Sequence, residues 1–155
     1  MYKRILVAFD GSEPSRNALD HAVNIVVRWK AELIILSVVP QVMIPVFPDG
    51  GIGATPIAAT YMTDYQDRMR EIYAKSLREV EDDIKEAYPD LKVSSRLLEG
   101  RPSSTIVEEA EKDGADLIVI GSRGIGGITG WVLGSTSRRV VESCTKPVLV
   151  VKTPR

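Results

Sequence analysis

Cysteine and histidine are each present once, as Cys144 and His21, so the chain can form no internal disulfide and holds too few thiol and imidazole groups for a metal cluster of that type. Neither sign of charge dominates. Lys plus Arg number 20 against 21 for Asp plus Glu, a net charge of -1, which supplies no broad positive field to draw in a phosphodiester backbone and argues against nucleic acid as the main partner. Long hydrophobic runs are also missing: no apolar stretch approaches the roughly 20 residues that span a bilayer. Met1 to Arg4 is basic like the start of a secretory signal, but the apolar run after it, Ile5 to Phe9, ends at Asp10 and is too short for the hydrophobic core of one. These absences predict a cytoplasmic protein that neither enters a membrane nor depends on disulfides.

What is present suits a packed domain. Hydrophobic residues make up 44% and charged residues 26% of 155 residues, a composition typical of soluble globular domains and far from that of disordered chains. The length fits one domain over residues 1–155, since single cores commonly form at about 100 to 200 residues. Short apolar runs rich in β-branched residues, at Ile5 to Phe9, Leu33 to Val39, Val93 to Leu98, Leu117 to Ile120 and Val148 to Val151, read as strands. Two of them are apolar almost throughout, as strands covered on both faces are.

The intervening segments carry the helical period. After Asp10-Gly11-Ser12, with Ser12 as N-cap and Pro14 in the first turn, Ala18, Leu19, Ala22, Val23 and Val26 share a face. From Asp64 to Tyr88 the stripe is Met69, Ile72, Tyr73, Leu77, Val80 and Ile84, with Glu71/Lys75 and Glu81/Lys85 as i,i+4 pairs and Pro89 as the stop. A third helix is expected from Pro102, with Ile106, Val107 and Ala110 inward and Gly114 in the left-handed position after its end. A fourth runs from about Ser135 to Ser143. Strands alternating with helices, joined by right-handed crossovers, predict an α/β fold: a single open, doubly wound, Rossmann-like five-stranded parallel sheet with helices on both faces. Residues 40–63, rich in Pro and Gly, interrupt the rhythm and read as a long variable loop, either an irregular cover or a lid or dimer contact. No internal repeat is present.

Sheets of this kind bind ligands beyond the carboxyl ends of their strands, where the winding reverses. That criterion selects the segments after the strands: Asp10 to Ser12, Val38 to Pro40, and Gly121 to Ser135. The last holds five glycines between Gly121 and Gly130. Glycine lets main-chain N–H groups approach phosphate oxygens, and the helix that follows offers unpaired N–H groups and a partial positive charge. The residues point to an anion, most plausibly a polyphosphate, against the plainer alternative of a flexible glycine hairpin whose Ser135 caps a helix. Two familiar phosphate loops are excluded. No glycine in the chain precedes a lysine, as a Walker A loop requires, and Gly124-Ile125-Gly126 is followed by Thr129 where a dinucleotide fingerprint needs a third glycine.

Gly121-x2-Gly124-x9-Gly134-Ser135 resembles, without a gap, the G-x2-G-x9-G-[ST] pattern of ATP-binding members of the universal stress protein family. Residues 3–12 resemble the first strand and Asp-containing turn of that family, Gly100-Arg101-Pro102 and residues 114–121 its later phrases, and residues 146–151 its closing strand. The likeness spans nearly the whole chain apart from 40–63. It implies Asp10 beside a ribose, the Val38 backbone facing adenine, Gly121, Gly124 and Gly134 shaping a phosphate cradle, and Ser135 and Thr136 on phosphate oxygens. Thr136 departs from the apolar residue that many relatives carry there. Arg123 is a candidate phosphate partner or a solvated loop arginine. Mg²⁺ or Mn²⁺ would be held through the phosphates and water. The family also implies a homodimer through the C-terminal strand and an unidentified protein partner.

His21 and Cys144, on expected helices away from strand ends, read as a boundary histidine and a small packing residue rather than a catalytic pair. Trp131 reads as packing or interface. The glycine loop contains no carboxylate to activate a water, which favours a stress-response regulatory module, switched by ATP, with little or no catalysis. A slow ATP hydrolase or adenylyl-transfer enzyme using Asp10, and a nucleotide-free protein-interaction module, are the alternatives.

Overall fold

The computed structural model describes residues 1–42, 56–123 and 133–153. Five strands, β1 (Arg4–Ala8), β2 (Glu32–Pro40), β3 (Val93–Gly100), β4 (Leu117–Gly121) and β5 (Val148–Val151), form one sheet in the order β3-β2-β1-β4-β5. Every pairing is parallel, and the central β1 sets Ile5 beside both Leu33 and Leu117. The expected doubly wound α/β architecture is the one observed.

The uninterrupted apolar strands follow from cover on both faces. Ile5, Val7, Leu33, Ile35, Leu117 and Val119 belong to a core beneath α1 (Glu13–Trp29) and α2 (Pro56–Ala87). Alternating with them, Leu6, Ile34, Leu36, Ile118 and Ile120 face the opposite way, beneath α3 (Pro102–Lys112) and α4 (Ser135–Ser143). Side chains of period two thus fill two cores instead of one core and one wet face.

Helix α1 begins as expected: the Ser15 N–H donates to the Ser12 hydroxyl oxygen, Pro14 sits in the first turn, and the whole stripe from Ala18 to Val26 is buried. It ends with Lys30 in the left-handed region, φ 53°. Gly114, φ +64°, takes the same conformation just beyond α3, where a side chain would be strained.

Helix α2 corrects two expectations. It starts at Pro56, so residues 56–63 are helix rather than loop, while 43–55 lie outside the described residues. Proline is tolerated in a first turn, and alanines follow it. Thr60 and Thr63 return their hydroxyls to the carbonyls of Pro56 and Ala59. Ile72, assigned to the inward stripe, is 61% exposed, because the buried face of Tyr73, Leu77, Val80 and Ile84 is turned about 100° away from it. The Lys85–Glu81 pair forms at 2.6 Å, whereas Lys75 lies 3.9 Å from Glu79 rather than pairing with Glu71.

At the opposite end of the sheet, Asp116 accepts the backbone N–H groups of Lys3 (2.7 Å) and Arg4 (3.0 Å), fastening the entry of β1 to that of β4. Those two bonds, the Lys3 bond foremost, hold its carboxyl below the usual carboxylate range. Arg96 on β3 binds Glu109 of α3 and Asp113, its C-cap, at 2.8 and 2.7 Å.

Candidate functional site

The chain winds from β1 through β2 to β3, then returns past β1 to lay down β4 and β5. The segments leaving β1 and β4 therefore part in opposite directions and open a crevice at the strand ends. A cavity of about 450 Å³ occupies it.

Asp10 stands in the middle, just past β1. Its carboxylate Oδ1 accepts both the N–H and the hydroxyl of Ser12, at 3.0 and 2.5 Å, and Ser12 in turn caps α1. The carboxylate is thus held at the mouth of the helix and lines the cavity. On one side lie Val38 and Pro40 of β2, with Ile106 of α3 and Met69 of α2, an apolar wall.

On the other side the cavity meets Gly121 and Arg123 after β4, and Gly134, Ser135 and Thr136 at the start of α4. Gly134 is the N-cap of α4 and brings no side chain to the task. First-turn N–H groups have no intrahelical acceptor, and Ser135 and Thr136 bring the first turn of α4 to the cavity wall. This removes the reading of Ser135 as a mere cap: it is the first residue inside the helix. The turn is braced from behind, since the Gly134 N–H donates to the Ser122 carbonyl at 2.8 Å and the Ser137 hydroxyl to the same oxygen at 2.9 Å.

Of the residues singled out from the sequence, Asp10, Val38, Gly121, Arg123, Gly134, Ser135 and Thr136 converge on this one cavity. Gly124 and Trp131 lie outside the described residues. His21 is on the exposed side of α1, and Cys144 follows α4 as its extended C-cap rather than sitting on the helix, partly buried against the core. Neither lines the cavity.

Sequence reasoning missed Met69 and Tyr73, whose period marks them as core. Tyr73 is 7% exposed yet borders the cavity. Burial, and then the negative charge of Asp10, push its hydroxyl above the ordinary tyrosine range. Among the described residues Asp10 is the one carboxylate on the cavity wall, and no group of three or more His, Cys, Asp or Glu side chains could hold a metal. Among the described residues no helix is long and apolar enough to cross a membrane.

The crevice thus has a helix start at one end, a carboxylate at the centre and an apolar wall at the other. Comparison with known proteins identifies the family. The model of the universal stress protein family matches residues 1–152. A universal stress protein of Methanocaldococcus jannaschii, MJ0531, is 36% identical over 155 residues, covering 100% of this chain and 85% of the relative. The structure of universal stress protein UspA from Lactobacillus plantarum superposes with a TM-score of 0.81 at 26% identity, over 97% of each chain. A universal stress protein solved in complex with cAMP superposes at 0.64 with 29% identity, over 99% of this chain and 98% of that one. With its glycine pattern, its sheet order and its switch-point crevice all in agreement, this chain belongs to the universal stress protein family.

Proposed function

We propose that this protein is an ATP-binding regulatory module, in which the crevice holds the nucleotide and occupancy alters the surface offered to partners. The observation that carries the reading is the cavity itself: it joins Asp10, Val38 and the uncapped start of α4 in one space of about 450 Å³. That volume lies in the range of small-molecule pockets, about 300 to 1,000 Å³. In this reading the α4 amides, with Gly121, Gly124, Gly134, Ser135 and Thr136, receive the phosphates, and Arg123 adds charge beside them. Asp10 takes a sugar hydroxyl and the Val38 backbone faces the base. Mg²⁺ or Mn²⁺ travels with the phosphates, since among the described residues no group of three or more His, Cys, Asp or Glu offers it a cage.

The same wall disfavours rapid hydrolysis. Asp10, the carboxylate available, is already engaged by Ser12 on one oxygen and lies toward the sugar, not the terminal phosphate. The module acts in the cytoplasm as a homodimer paired through β5. Support for the dimer comes from the position of β5 at the sheet edge, where Leu149 is 36% exposed.

Calorimetric titration of nucleotide-stripped protein with ATP, ADP, cAMP and NAD in Mg²⁺, beside an assay for released phosphate, tests the proposal. Micromolar ATP binding without phosphate release is the expected result. Steady release would make the protein an enzyme. Tighter binding of cAMP than ATP would assign the crevice to a cyclic nucleoside monophosphate, a reading favoured by the relative solved with cAMP. Absence of all binding would move the function to the protein's interfaces.

A further inference from the structure

Tyr73 occupies a position on α2 that its period assigns to the core, together with Leu77, Val80 and Ile84. It differs from them in where it looks. With Phe9 and Asp10 it borders not only the main cavity but also a second one of about 160 Å³, which continues toward Ser37 and Ser76. A buried tyrosine hydroxyl ordinarily finds a hydrogen-bond partner. No buried side-chain nitrogen or oxygen among the described residues lacks one. Tyr73 lines both spaces together with Asp10, whose negative charge acts on its hydroxyl.

The order of walls across the strand ends locates that pair. Val38 and Pro40 follow β2, Asp10 follows β1, and Gly121, Arg123 and Gly134 follow or face β4, in the sheet order β2-β1-β4. A nucleotide with phosphates at α4 and its base against the β2 wall must pass its sugar over β1, which is where Asp10 and Tyr73 meet. We propose that Tyr73 is a specificity-determining residue: its hydroxyl joins the Asp10 carboxylate on the hydroxyl edge of the ribose and makes the site prefer ribonucleotides to deoxynucleotides. The inference rests on the nucleotide reading above and adds to it a residue and a selectivity.

The chemistry of the pair is complementary. An ionised carboxylate only accepts hydrogen bonds, whereas a tyrosine hydroxyl donates and accepts. Burial and the neighbouring carboxylate both keep the Tyr73 proton in place, so the donor persists throughout the neutral pH range. A sugar hydroxyl can accept from the Tyr73 hydroxyl and donate to the Asp10 carboxylate, and an analogue without it loses both bonds, a difference of the kind that discriminates between ligands.

The test is calorimetry of the wild-type protein and of Tyr73→Phe with Mg²⁺ and ATP, 2′-deoxy-ATP or 3′-deoxy-ATP. Wild type is expected to bind ATP about fivefold or more tightly than at least one deoxy analogue, and Tyr73→Phe to lose about fivefold in ATP affinity, the size of one hydrogen bond. The disfavoured analogue should change by less than about twofold in the variant, so the preference shrinks. Phenylalanine keeps the buried ring, and an unchanged unfolding midpoint checks the fold. Equal binding of all three nucleotides by wild type overturns the inference without recourse to the variant. A preference identical in the two proteins overturns it as well, and in both cases ATP binding itself stands. Failure of wild type to bind any nucleotide removes the nucleotide reading and this inference with it.

Discussion

A Cβ placed on Gly121 at the end of β4 would lie 2.7 Å from both the carbonyl carbon and the carbonyl oxygen of Pro14 in the first turn of α1. Backbone cannot yield as a side-chain tip can, so this glycine allows the start of α1 to lean on the end of β4. Gly121→Ala is therefore expected to destabilise the fold by about 1 to 3 kcal/mol through overpacking, read as a lower midpoint in urea. An unchanged midpoint would show that the helix moves aside freely.

Gly124 is expected to behave in the opposite way. It belongs to the same pattern but, on the sequence reading, serves the path of the phosphates. Gly124→Val should lower ATP affinity by about tenfold or more, because its side chain would fill the path of the phosphates, while the urea midpoint stays that of wild type. Calorimetry with parallel urea titration separates the two effects. Full ATP affinity in this variant would place the phosphates elsewhere.

The contrast between these glycines shows what was legible in the residues. Strand and helix order followed from period and length, because both sheet faces are covered and Ile5 to Ala8 or Leu33 to Val39 stay buried on each. That Asp10, Val38, Gly121 and Gly134 would border one cavity was legible too, since switch-point geometry follows from the order of elements. Three things were not. The start of α2 was hidden because a proline reads equally as loop or as first helical turn. Tyr73 was hidden because a residue lining a buried cavity and one lining the core share the same period. The steric duty of Gly121 was hidden because spacing alone does not tell whether a missing Cβ makes room for ligand or for the chain's own backbone.

Asp116 predicts a pH dependence. Its carboxyl is held low in the folded protein by the Lys3 and Arg4 amides. A carboxyl lowered on folding stabilises above its unfolded value, about 3.9, and that contribution is lost as pH falls through the folded value. Asp116→Asn should thus be less stable than wild type at pH 7 by about 1.5 to 3 kcal/mol at most, the range for hydrogen bonds to a charged group, solvent screening at this partly exposed site reducing it. The gap should close as pH drops below about 4. Urea midpoints of both proteins from pH 7 to pH 3 give the comparison, and a gap constant across that range would mean the amides do not favour the ionised form.

The proposed dimer rests on β5, the outer strand on the β4 side, which leaves one row of backbone groups without a strand partner among the described residues. Its residues Val148, Leu149 and Val150 are apolar, and the side chain of Leu149 is 36% exposed. An apolar edge of this kind invites pairing with a second copy unless it is blunted by charge. Leu149→Lys adds that charge with little effect on the core, because the position is not buried. The variant is expected to scatter light as a monomer at micromolar concentration where wild type is a dimer, with the unfolding midpoint shifted by whatever the pairing contributes. Should wild type itself prove monomeric, pairing through β5 is wrong. If the variant stays dimeric, the two copies meet on another face.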